Sequence, residues 1–138
     1  MKTFKFNDLE VGHKESFTVK ITSDMMSKFK DITGDINPLH NDKDFAVGGG
    51  YKDIVVYGML VSSFYSTLAG VYLPGENSLI QSIEVGMPKP TYVGDTLTVN
   101  GEIVDKIDAY HLIEIKIWIT NQDGKKVSKG KLNVVVLK

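Results

Sequence analysis

No cysteine occurs in the 138-residue chain. That excludes disulfides, thiol nucleophiles and cysteine-ligated metals, and it is compatible with a reducing compartment. Charge of one sign is also missing: 16 basic side chains stand against 17 acidic ones, for a net −1. Such a balance gives no bulk field to draw in nucleic acid or an anionic membrane. There is no repeat, low-complexity tract or linker. The N-terminal stretch MKTFKFNDLEVG lacks an apolar segment of signal-peptide length, so a cytoplasmic protein is expected. What is present is an ordinary globular composition, 42% hydrophobic and 24% charged. One domain over residues 1–138 with a single core is therefore expected.

One stretch is free of charge from Asp53 to Glu76: IVVYGMLVSSFYSTLAGVYLPG. It is long enough to cross a bilayer. Its Ser, Thr, Tyr and Gly content and its Pro-Gly ending make it a poor hydrocarbon solute. The better expectation is a long helix, apolar on nearly all sides, buried because other elements wrap it. Gly58, Ser62, Ser66 and Gly70 recur four apart, so they share one helical face and let a neighbour or a ligand approach.

The wrapping is expected to be a sheet. After Pro74-Gly75 the sequence reads as strands: SLIQSIEVGMPKP, DTLTVNGEIVDKID, HLIEIKIWIT and VSKGKLNVVVLK. In the third, Ile113, Ile115, Ile117 and Ile119 alternate with Leu112, Glu114, Lys116 and Trp118. Asn121-Gln122-Asp123-Gly124 supplies a turn, which predicts an antiparallel hairpin. Upstream, ESFTVKIT reads as another strand. SDMMSKFKDITG reads as a short helix, capped by Thr22 or Ser23 and stopped at Gly34. A helix against a curved antiparallel sheet is an α+β arrangement.

Between the two helical stretches lies GDINPLH, Gly34 to His40. On a regular helix Asp35 and His40 would point about 140° apart. Pro38 prevents that helix and pushes Asn37 into an extended conformation, and the Asn37 amide can pin the bend. A curled loop of this kind can aim a carboxylate and an imidazole at one water, the equipment for adding or removing water. The same residues also suit a plain helix-ending turn with a surface histidine. A calcium loop is excluded, since Leu39 stands at its fifth position and neither the glycine at six nor the glutamate at twelve is present. Gly48 to Gly50 lacks the lysine and the context of a phosphate cradle and reads as a flexible loop. His13 and His111 read as surface or edge histidines. No metal site is expected.

DITGDINPLHNDKDFA followed by YKDIVVYGMLVSSFYSTLAG resembles the signature of the MaoC-like, (R)-specific enoyl-CoA hydratases, and MPKPTYVGDTLTV resembles that family's next stretch. The resemblance implies the hot-dog fold, dimers, and an acyl pocket near the dimer interface. It implies Asp35 and His40 as the catalytic pair. Gly58 then matches the glycine whose N–H faces the thioester oxygen, and Ser66 a serine supporting the carboxylate. Asn37 belongs to the same core motif and is placed with the substrate-binding residues. Tyr57 stands where many members have histidine, which bears on pocket shape. The implied reaction is reversible hydration of a trans-2-enoyl thioester without a cofactor, on acyl-CoA or an acyl carrier protein ester. Asp35 would activate the water that attacks the β-carbon, and His40 would deliver the proton to the α-carbon. The rivals are a hot-dog thioesterase and a non-catalytic acyl-binding module. Bulky Tyr57, Met59, Phe64 and Tyr65 suggest a shallow pocket for short acyl chains.

Overall fold

The computed structural model describes residues 1–138. Its chain order is β1 (Lys14–Lys20), α1 (Ser23–Thr33), α2 (Pro38–Asn41), α3 (Lys43–Gly48) and α4 (Gly58–Thr67), then β2 (Ser78–Gly86), β3 (Thr96–Ile107), β4 (Leu112–Thr120) and β5 (Lys126–Val136). Alternation in β4 sets the sheet's inner face. Ile113, Ile115, Ile117 and Ile119 are fully buried, while the residues between them are only partly covered or exposed. Ile115 pairs with Ile103 of β3 on one side and Leu132 of β5 on the other, so one register continues across three strands. The five strands are antiparallel in the order β1-β3-β4-β5-β2. This sheet and the α4 helix on its inner face give the hot-dog arrangement that the sequence led us to expect.

Against that face lie Leu60, Val61, Tyr65 and Leu68, all in the same buried cluster as the sheet isoleucines. Each large apolar side chain so buried stabilises the fold by about 1.5–3 kcal/mol. Tyr65 brings its hydroxyl into the core and satisfies it by donating to Ser128 Oγ at 2.9 Å. Burial pushes its pKa up to about 12, against the weaker opposing effect of that hydrogen bond.

The apolar run from Ile54 is not helical throughout: the helix opens at Gly58, where the resemblance places a Gly-Met-Leu element at its start, and after Thr67 it widens into a π turn over Leu68–Tyr72. Nor is it buried on all sides, since Met59 is 66% exposed and Ser63 and Ser66 also face out. A single sheet covers one face of a helix and leaves the other open. No helix is long and apolar enough to cross a membrane. Strand β2 is an edge, open on both faces, and exposes Leu79, Ile80 and Ile83.

Candidate active site

Helix α1 delivers the chain to the site. Thr22 caps it by accepting from the Met25 N–H at 3.2 Å, and Gly34 ends it in the left-handed region at φ 73°. The motif that follows is a sequence of local side-chain bonds. Asp35 Oδ1 accepts from the Asn37 N–H at 3.0 Å, and Asn37 Oδ1 accepts from the Leu39 N–H at 2.9 Å. Asn37 is extended, with ψ 132°. Pro38 then opens a single helical turn, α2, where a proline at the first position sacrifices no hydrogen bond. The sequence reading of this stretch as loop throughout is corrected there. Likewise α3 runs into Gly48, so the glycine triplet begins inside a helix end.

His40 sits on α2 and is held from the side by the extended stretch before α4. Its Nδ1 lies 2.6 Å from the Val55 carbonyl oxygen, which can only accept, so Nδ1 carries a hydrogen. Nε2 is therefore the nitrogen left to exchange a proton. The Leu39 carbonyl receives the Val55 N–H at 3.1 Å, making a two-way bridge between the two segments. The other brace is Tyr57, which is 2% exposed. Its hydroxyl donates to the Asp35 backbone carbonyl at 2.5 Å and accepts from Asn41 Nδ2 at 3.0 Å. Its ring lies against His40, with centroids 4.3 Å apart, and against Phe29, at 4.8 Å.

These braces bring Asp35, His40, Tyr57 and Gly58 around one hollow of about 400 Å³, closed by Phe29, Thr33 and Met59. Gly58 is the first residue of α4, and the opening N–H groups of a helix have no partner within it. Together with the positive end of the helix dipole, this N–H can receive a developing oxyanion. The Met87 sulphur occupies the space that a side chain at position 58 would need.

The structure does not bring every expected residue to the hollow. Asn37 does not line it, and its side-chain oxygen caps α2. Ser66 lies exposed on α4, outside the lining of the hollow in this protomer. Phe64 and Tyr65 pack in or against the core and do not surround the hollow. Sequence reasoning missed Val55, Asn41 and Met87. Val55 acts through its main chain, which has no residue signature. Met87 meets the site only through a long-range contact, and Asn41, next to His40 on α2, braces it through a bond to the distant Tyr57 hydroxyl.

A carboxylate, an imidazole with one free nitrogen and a helix-start N–H around one hollow are the parts of an acid–base enzyme that polarises a carbonyl. Comparison with known proteins gives the family. The MaoC like domain model matches residues 7–130. The (R)-specific enoyl-CoA hydratase of Aeromonas caviae is 34% identical over 123 residues, covering 89% of this chain and 92% of that protein. The 3-hydroxybutyryl-CoA dehydratase of Methylorubrum extorquens is 30% identical, covering 78% of this chain and 68% of its own length. Among solved structures, the unliganded R-hydratase PhaJ1 of Pseudomonas aeruginosa superposes with a TM-score of 0.90 at 27% identity, over 97% of this chain and 86% of that one. The chain belongs to the MaoC-like family, and its class is that of the hot-dog hydratases and dehydratases, which are hydro-lyases.

Proposed function

We propose that the chain reversibly adds water across the double bond of a trans-2-enoyl thioester, with Asp35 and His40 as the acid–base pair. The observation that carries this is the placement of Asp35, His40 and Gly58 around one hollow. Asp35 Oδ1 is held by the Asn37 N–H, which leaves the second oxygen to take a proton from water as the oxygen attacks the β-carbon. Electron density moves to the thioester oxygen, where the Gly58 N–H receives it. His40, holding a second proton on Nε2 at the start of hydration, passes it to the α-carbon as the thioester carbonyl re-forms, and the proton taken by Asp35 returns to Nε2 for the next turnover. Dehydration reverses each step.

The substrate is proposed to be an acyl-CoA, as the names of the relatives suggest for those proteins. A homodimer is part of the same reading. Strand β2 has an unpaired edge, and Leu79, Ile83, Ile32, Ile36 and Met59 are exposed large apolar side chains. A second copy covering the open face of α4 would bury Met59 and reach Ser66. The decisive experiment follows the loss of conjugated-thioester absorbance with crotonyl-CoA, alongside free-thiol release. Hydration without thiol release supports the proposal. Thiol release without hydration means a thioesterase, and neither means a binding module.

A further inference from the structure

We infer that the cleft bordered by Lys52, Lys89 and Lys125 receives the phosphate groups of coenzyme A, the carrier end of the thioester. The inference rests on the hydratase reading and adds to it the place where the carrier is held. A second hollow of about 250 Å³ adjoins the first and shares His40 and Gly58 with it. It runs past Met87 and Pro88 to Lys89 and Pro90. These last two residues also border the next cleft, of about 280 Å³, together with Lys52, Tyr92 and Lys125. A continuous surface path thus leads from the reacting groups to three ammonium groups, with Lys89 at the junction.

All three lysines are exposed, and none has a carboxylate within the 4.0 Å of an ion pair. Lys52 is steadied over the Tyr92 ring, 4.5 Å from its centroid. Two carboxylates border the same cleft. Asp95 is buried and already accepts from the Tyr92 N–H at 2.9 Å and from Gln122 Nε2 at 3.0 Å. Asp123 sits exposed in the turn before β5. Three ammonium groups against these two carboxylates leave the cleft with a net positive charge. Coenzyme A carries a diphosphate and a 3′-phosphate, several anionic groups for several separate cations. A carrier protein's pantetheine arm offers a single phosphodiester, which leaves most of the cleft unmatched. Lysine, a flexible point charge, suits phosphates that also contact water.

The test uses the full chain with Lys52, Lys89 and Lys125 all changed to alanine. Crotonyl-CoA is compared with crotonyl-N-acetylcysteamine, the same reacting group without phosphates. Exposed charge pairs are individually weak, so the three together should raise KM for the CoA ester roughly tenfold. The small thioester should keep its KM, and high salt should erase the difference between variant and wild type on the CoA ester. A control variant with Lys116, Lys126 and Lys129 changed to alanine loses equal charge from another hollow, around Trp118, and should leave KM unchanged. Equal effects on both substrates, no effect on either, or the same effect from the control overturns the inference. So does a variant impaired only on crotonyl-acyl carrier protein, since the cleft would then serve a protein. Calorimetry with adenosine 3′,5′-bisphosphate reads the cleft without turnover. Binding lost in the triple variant supports it even if the hydratase assay fails, and binding unchanged overturns it.

Discussion

Tyr57 and Asp35 are 22 residues apart, yet the tyrosine hydroxyl donates to the aspartate's backbone carbonyl at 2.5 Å. The loop that carries the proposed acid–base pair is thereby anchored to the residue just before the helix whose first N–H is the proposed oxyanion donor. Tyr57 lines the hollow, as a residue that shapes a pocket should, and its ring also backs His40.

Replacing Asp35 by Asn, or His40 by Ala, should lower hydratase kcat by ~10²–10⁴ while leaving the fold intact. Asp35 is exposed and His40 only half-buried, so neither change opens the core. Because both act on one reaction, the double variant should be far less impaired than the product of the single effects. Near-wild-type turnover in either folded variant would sink the mechanism.

Tyr57→Phe keeps the ring against His40 and removes only the tether to Asp35 and Asn41. Stability should fall by about 1–3 kcal/mol, the usual value of two lost hydrogen bonds. A small displacement of catalytic groups is expensive, so kcat should drop by roughly ten- to a hundredfold, with KM little changed. A purely structural role would give the stability loss with kcat preserved. Steady-state kinetics beside thermal melts separates the two.

The isolated protein should sediment as a homodimer or a multiple of one. Introducing Lys at Ile83, an exposed residue on the β2 edge, should weaken the assembly. A monomer at all working concentrations in the unmodified protein would remove the basis for placing Ser66 beside a second copy.

Enoyl groups of about four to six carbons should outperform ten-carbon ones in kcat/KM, by the packing argument for a hollow of this size. The side chains to truncate are Phe29 and Met59, which border the hollow with the reacting groups. Cutting either to alanine should shift preference towards longer chains, each methylene accommodated being worth ~0.8 kcal/mol. Tyr57→Ala is unsuitable, since it would release the catalytic loop. A wild-type optimum at decenoyl-CoA would show the pocket to be deep.

At high pH the buried Tyr65 becomes a liability. Its pKa is raised to about 12 in the folded protein from 10.0. Between those values the unfolded chain releases the proton and the folded one retains it, so stability falls as pH rises through that window. The full effect is present below pH 10 and amounts to about 2–3 kcal/mol lost by pH 12. Tyr65→Phe should be less stable near neutrality, having left Ser128 without its donor, and should lose less between pH 10 and 12. Denaturant titrations at matched pH measure the difference.

Much of this molecule could be read before its coordinates were known, for local reasons. The isoleucine alternation in β4 has a period of two, and Thr22 and Gly34 mark helix ends by backbone chemistry that needs no distant partner. Asp35, Pro38 and His40 were legible because a proline-fixed turn has few ways to fold. Long-range geometry was not. Nothing local says that Tyr57 reaches back to Asp35, that a carbonyl at Val55 orients His40, or that Ser66 faces away from the hollow in one protomer. The apolar run by itself does not announce where its helix begins; the Gly-Met-Leu resemblance marks Gly58 as the opening, and Gly58 opens it.

Gly58 and Met87 share one small volume, the sulphur of one lying where the other would carry a side chain. Their mutational tolerances are therefore coupled. Alanine at position 58 should be strongly deleterious alone and partly rescued when Met87 is also shortened, whereas shortening Met87 by itself should be mild. In natural variation the two positions should trade bulk in opposite directions, so a change at the end of β2 can govern what the first residue of a distant helix is permitted to be.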